Sequence, residues 1–151
     1  MSHLLLKMIT KYERPLIGVF LLTGCMTSAQ ATTYLLEPNN SNVRFEIDHF
    51  KTSTNSGGFY NLTGQLDYDK TAKTGYISLV IPINSLNTGN AAFDTVLKSS
   101  DFFDAEKFPL ASFKSTKWYF ASEGNEVTKV DGHLTMHGVT NPVTLTATKF
   151  N

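Results

Sequence analysis

Few residues in this chain have types and spacing that could do chemistry. His49 closes the run VRFEIDH at residues 43–49, where the earlier odd positions (Val43, Phe45, Ile47) are apolar and the even ones charged. On a strand, that alternation puts its imidazole on the dry face. A buried imidazole needs a partner, so His49 is either a hydrogen-bonded core histidine or the polar contact of a bound ligand. His133 and His137 stand four apart, as in a helical zinc motif, but HLTMH lacks the acidic residue that would act as base. The segment reads as a strand, with both rings outward opposite Leu134 and Met136, and no third ligand lies at recognisable spacing. Asp67 and Asp69 alternate on a polar strand face; paired carboxylates can do acid–base work, but with Lys70 and a turn following, they are expected only to keep that face wet. Gly57, Gly58 and Gly64 fall short of a phosphate-cradling fingerprint and are expected to let a strand bend around a corner. No Gly-x-Ser-x-Gly elbow is present, and Cys25 is the sole cysteine. The expectation is a protein with no catalytic residue, no metal site and no cofactor: not an enzyme.

The elements that would position these residues follow from period. From Tyr34 onward the dominant repeat is two, giving strands over residues 34–37, 43–49, 62–69, 76–83, 111–121, 127–137 and 143–147. In the fifth, a change of face near Lys117 and Trp118 marks a bulge. Gly124-Asn125 and residues 138–142 read as turns, so neighbouring strands are antiparallel. One stretch breaks the pattern. Residues 90–98 place Ala92 and Val96, with Phe93 and Leu97 on the adjoining row, at helical spacing. Residues 96–113 then combine Leu97, Phe102, Phe103, Phe108 and Phe113 with Pro109 and four nearby charges: too greasy for a solvated loop and too punctuated for a strand. That segment is expected to fold back as a lid over an apolar interior. Amphipathic strands with short connections can close as a barrel or stack as a sandwich, and the inserted helix favours the barrel, which has an end to cover.

Composition narrows the function classes. The 151 residues carry no net formal charge, and without the first 31 they hold 10 basic against 12 acidic side chains, so nucleic acid is not an expected partner. Residues 1–31 read as an export signal, with Lys7, Lys11 and Arg14 before an apolar run and Ala29-Gln30-Ala31 as the cleavage site. The run is shorter than the roughly 20 residues of a membrane-spanning helix. Leu22-Thr23-Gly24-Cys25 resembles a bacterial lipobox, the alternative being a lipid anchor on Cys25. The protein is therefore expected in the periplasm or secreted, or else held to a membrane through Cys25. A form cut after Ala31 contains no cysteine and no disulfide.

Four segments resemble the YceI-like family: VRFEIDHF (residues 43–50), GQLDY (64–68), the long stretch 83–116 with its Ser-Asp-Phe and Phe-Pro steps, and DGHLTMHGVTNPVTLTA (131–147). The resemblance implies an all-β fold: an antiparallel lipocalin-like β-barrel over residues 32–151, with a short helix and aromatic lid around residues 90–110. It also implies a hydrophobic tunnel, a role in carrying or sequestering a polyisoprenoid or other long-chain lipid, and no catalysis. His49 occupies a matching family position. Two departures stand out: Val96 stands where members often carry a His, and members usually continue beyond the position of Asn151, so the barrel is expected to lack its last strands and close incompletely. Burying about 20 methylenes at about 0.8 kcal/mol each offers roughly 16 kcal/mol gross, so affinity needs only greasy walls. The candidate ligand-binding residues are Phe45, Ile47, Leu79, Ile81, Phe102, Phe113, Leu134 and Met136, with His49 as the polar contact. The competing reading is a β-sandwich adhesion or interaction module with a filled core.

Overall fold

A computed structural model describes residues 4–8, 31–49 and 53–148, with side chains over 31–47 and 54–148. Cys25, most of the leader segment and the His49 side chain lie outside the described residues. Nine strands and one helix follow in the order β1 (Leu4–Met8), β2 (Thr32–Leu35), β3 (Ser41–His49), β4 (Ser53–Phe59), β5 (Thr63–Asp69), β6 (Thr74–Pro82), α1 (Ala91–Lys98), β7 (Leu110–Phe120), β8 (Val127–Met136) and β9 (Val139–Thr146). They form two antiparallel sheets, β1-β3-β4 and β2-β5-β6-β7-β8-β9. Gly58 of β4 is tied to Asn87, in the segment between β6 and α1, by a pair of mutual backbone hydrogen bonds of 3.0 and 2.9 Å. Among the described residues the sheets do not close into one continuous ring.

Two strands escaped the period-two pattern. β1 falls in the leader, and β4, STNSGGF, has too few apolar residues to alternate. Partner geometry holds β4 in place, in unbroken register with β3 from Val43 opposite Phe59 to His49 opposite Ser53. Gly57 is not a corner. It lies opposite Phe45, and a Cβ there would approach Phe45 Cζ to 2.7 Å and Thr88 Cγ2 to 2.8 Å, so it makes room for the ring. Gly132 on β8 does the same for Phe113, whose Cζ would lie 2.4 Å from an added Cβ.

The β8–β9 connection is also shorter than expected. His137 and Gly138 form a two-residue turn with φ of 52° and 74°, the positive pair of a type I′ hairpin, so β9 starts at Val139 and runs through Pro142. Pro142 is tolerated because β9 pairs only with β8 and is an edge strand of its sheet. In β7 the register slips between Ser115 and Lys117, the bulge that the change of face announces.

Helix α1 begins where Asn90 accepts hydrogen bonds from the backbone N–H groups of Ala92 and Phe93, both at 3.1 Å. Thr88 braces it from outside: its N–H and hydroxyl donate to Asp94 Oδ1 at 2.8 and 2.7 Å. These bonds, the hydroxyl's first, hold the Asp94 carboxyl below its ordinary value. Leu97 and Phe93 face the core, whereas Val96 is exposed.

Candidate functional site

Inward rows from both sheets meet in two apolar clusters. The first joins Val43 and Phe45 of β3, Phe59 of β4, Leu62, Ile81, Ile83, Leu86, Leu97 and Ala105, with Phe93, Phe103 and Met136 packed against it. The second joins Leu36, Ile77, Leu79, Phe113 and Val130, with Leu66, Trp118 and Val143 against it. Leu134 touches both and links them. Along β7, Ala111 belongs to the first cluster, Phe113 to the second, and Trp118 and Phe120 lie beyond.

Rings gather near each end. At the lid end, Phe103 stands edge-on to Phe59, with centroids 5.4 Å apart and planes at 83°, and edge-on to Phe45 at 6.3 Å. At the far end Tyr68, Trp118 and Phe120 stack at 6.1 to 6.4 Å with interplanar angles of 10° to 27°. Trp118 lies over Gly75, where an added Cβ would meet its ring at 2.4 Å. Its indole N–H donates to Ser115 Oγ at 3.1 Å, and the Tyr68 hydroxyl donates to Asn125 O at 2.6 Å. Burial, and secondarily the neighbouring Tyr34, pushes the Tyr68 phenol above its usual value. Outside this stack, Tyr68, Lys70, Gly124, Asn125 and Glu126 line an open cleft of about 470 Å³.

Six of the candidate ligand-binding residues come together in this interior: Phe45, Leu79, Ile81 and Phe113 are buried, and Leu134 and Met136 are half-buried against the clusters. Two expected in the lining are exposed instead. Phe102 is 53% exposed, because the turn in which Phe102 N–H donates to Ser99 O and Phe103 N–H to Leu97 O sends its neighbour Phe103 inward instead. Ile47 is 43% exposed: it keeps the odd phase of β3 but sits beyond Phe45, opposite Asn55.

The polar side chains divide by face. Asp67 accepts hydrogen bonds from Thr33 and Gln65 on the outer face, whereas Asp69 is buried and accepts from the backbone N–H groups of Thr71 and Ala72, both at 2.8 Å. Asp69 therefore shapes the β5–β6 turn and does not wet a face. His133 is exposed on β8, and the His137 ring packs on Phe108 with centroids 4.6 Å apart. No group of three His, Cys, Asp or Glu among the described residues is placed to hold a metal ion. On the outside of β7–β9, Asp131 accepts from the Thr144 and Tyr119 hydroxyls, each at 2.7 Å, which hold its carboxyl below the ordinary value and raise the Tyr119 phenol. Lys117 and Lys129 lie over the Tyr119 ring at 4.8 and 4.2 Å.

One interior residue was missed. Ser41, 2% exposed, precedes Val43 and Phe45 on the inward row of β3, and its Oγ is buried without a hydrogen-bond partner among the described residues. Extending the odd phase of β3 back by one step finds it.

Residues 34–151 match the family described as the YceI-like domain. Protein YceI of Salmonella newport is 34% identical over 140 residues, which cover 89% of this chain and 72% of that protein. The crystal structure of a Campylobacter jejuni YceI protein superposes with a TM-score of 0.56 at 31% identity, over 65% of this chain and 57% of that one. This chain thus spans little more than half the length of that protein. A structure described as a polyisoprenoid binding domain from Saccharophagus degradans shares the fold, with a TM-score of 0.58 at 18% identity over 76% of this chain and 65% of that one.

Proposed function

The chain belongs to the YceI-like family, and on that premise we propose that it is an exported, non-catalytic binding protein that carries or sequesters a polyisoprenoid or similar long-chain amphiphile in its apolar interior. The observation that carries the reading is the inward lining: apolar rows from both sheets, continuous through Leu134, with ring clusters toward either end and a helical lid over one of them. Such a lining offers affinity through burial and almost no chemistry. The description of the Saccharophagus neighbour as polyisoprenoid binding supports the cargo class.

The test is extraction of the purified full-length chain with organic solvent, followed by mass spectrometry. Co-purified species with isoprenoid repeat masses are expected; protein that is lipid-free and takes up no long-chain probe would reject the carrier. Export rests on residues 1–31, whose removal would take β1 with it and bare the edge of β3. Palmitate labelling in a bacterial host separates an anchored form, modified at Cys25, from a free one cut after Ala31.

A further inference from the structure

We propose that export processing adds a group to the fold: cleavage after Ala31 frees an α-ammonium on Thr32 that pairs with the Asp67 and Asp69 carboxylates and latches β2 to β5. The inference rests on the export reading of residues 1–31 and deepens it. β2 is an edge strand of four residues, and among the described residues β5 is its only ladder partner. That pairing ends at Thr32 opposite Tyr68, and Thr32 is the residue the cut would make first. One step further along the same register, Ala31 falls level with Asp69. The Thr33 hydroxyl donates to Asp67 Oδ1 at 2.6 Å, so both side chains share the outer face, and alternation puts Asp69 on that face too. Ala31, Asp67 and Asp69 line one open cleft of about 230 Å³, together with Thr74, Gly75 and Tyr76.

The two carboxylates have no cation among the described residues. Both backbone N–H groups that bind Asp69 donate to Oδ1, which leaves Oδ2 without a hydrogen bond there. Asp67 accepts only from the neutral side chains of Thr33 and Gln65. Lys70 and Lys73, in the turn that follows, are exposed, and neither pairs with Asp67 or Asp69 among the described residues. An intact Ala31–Thr32 peptide brings no charge to the cleft, whereas the cut sets an ammonium beside two negative groups. What the latch would hold is the start of the large sheet. Terminal segments with a ladder on one side fray first, and Leu36, directly after β2, is 6% exposed within the second apolar cluster. A cut before Cys25 would leave residues 25–31 in place and the cleft without its cation, so the latch belongs to the free form alone.

To test it, the full chain is exported from a bacterial host, its first residue is read by intact mass, and the α-amino group is labelled by reductive dimethylation so that NMR follows its titration. Thr32 is expected first, with its α-amino pKa raised to about 9 from the usual value of roughly 8. Because the folded value is raised, the contribution of the latch is full below about pH 8 and lost as pH rises through about 9. In wild type the raised value should also fall in high salt, a readout that needs no variant. Asp67→Asn and Asp69→Asn each keep an oxygen for the bonds now made, and each should lower the value. The double variant should restore the usual range and speed amide exchange at Leu36, whose N–H donates to Gly64 O, by about twofold to fivefold. Asp131→Asn, on β8, should change neither. An α-amino pKa near the usual value in wild type, or a raised one that survives the double substitution, overturns the latch and leaves export standing. A first residue other than Thr32 overturns both, and neither result touches the carrier.

Discussion

The two ring clusters use similar side chains in opposite ways. Phe45 and Phe59 come from paired strands, but the third ring of the lid cluster, Phe103, comes from a segment of turns held by local bonds such as those of Phe103 to Leu97 and Ala105 to Lys98. Tyr68, Trp118 and Phe120 all come from strands of one sheet, and two of them are tied by polar bonds to Asn125 and Ser115. Segments without ladder partners open at lower free energy than strands within a sheet. The lid end is therefore expected to exchange its backbone amides faster than the stacked end.

Breaking each cluster in turn tests that contrast. Phe59→Ala should have the largest effect, about 3–5 kcal/mol lost in chemical denaturation, because the ring is 2% exposed and packs on both other lid rings. Trp118→Ala, on a half-buried ring, should cost less, about 1–3 kcal/mol; a loss equal to that of Phe59→Ala would erase the distinction. Phe103→Ala should cost about 1–2 kcal/mol yet speed cargo release and amide exchange across residues 99–108, whereas Trp118→Ala leaves that exchange unchanged. Asn90→Ala should remove about 1 kcal/mol of helix cap, seen as faster exchange at Ala92 and Phe93.

The smallest effect is electrostatic and lies outside both clusters. The folded value of Asp131 is depressed, so its contribution to stability is present above the ordinary carboxylate value of 3.8 and is lost as pH falls through the lower folded value. Thr144→Val should raise the Asp131 titration midpoint measured by NMR and move that loss to higher pH.

Much of this architecture was legible in sequence because one face of each strand is dry and the other wet. β3, β5, β6 and β8 announce themselves by alternation, the helix by its spacing, and the bulge in β7 by its change of phase. β4 was not legible, since its place is set by pairing with β3 and by the Phe45 ring over Gly57, not by its own apolar residues. Phase predicted the buried positions of Phe45, Leu79, Ile81 and Phe113 but failed at Phe102, where the chain leaves strand geometry, and at Ile47, where the strand outruns its cover. Ser41 went unnoticed because a small polar residue at a strand start looks like a turn; only its unpaired hydroxyl sets it apart.

The seam at Gly58 and Asn87 has a mechanical consequence. Each sheet is laced internally by long ladders, but here the small sheet fastens to the segment after β6 by two mutual backbone bonds, reinforced by Tyr60 N–H donating to Ser85 Oγ. Breaking so short a stitch costs far less than slipping a strand, which would turn every side chain on it to the wrong face. So short a stitch pins the rim of the smaller wall, and the apolar packing beneath it, Val43, Phe45 and Phe59 against Ile81 and Ala111, carries the rest of the join.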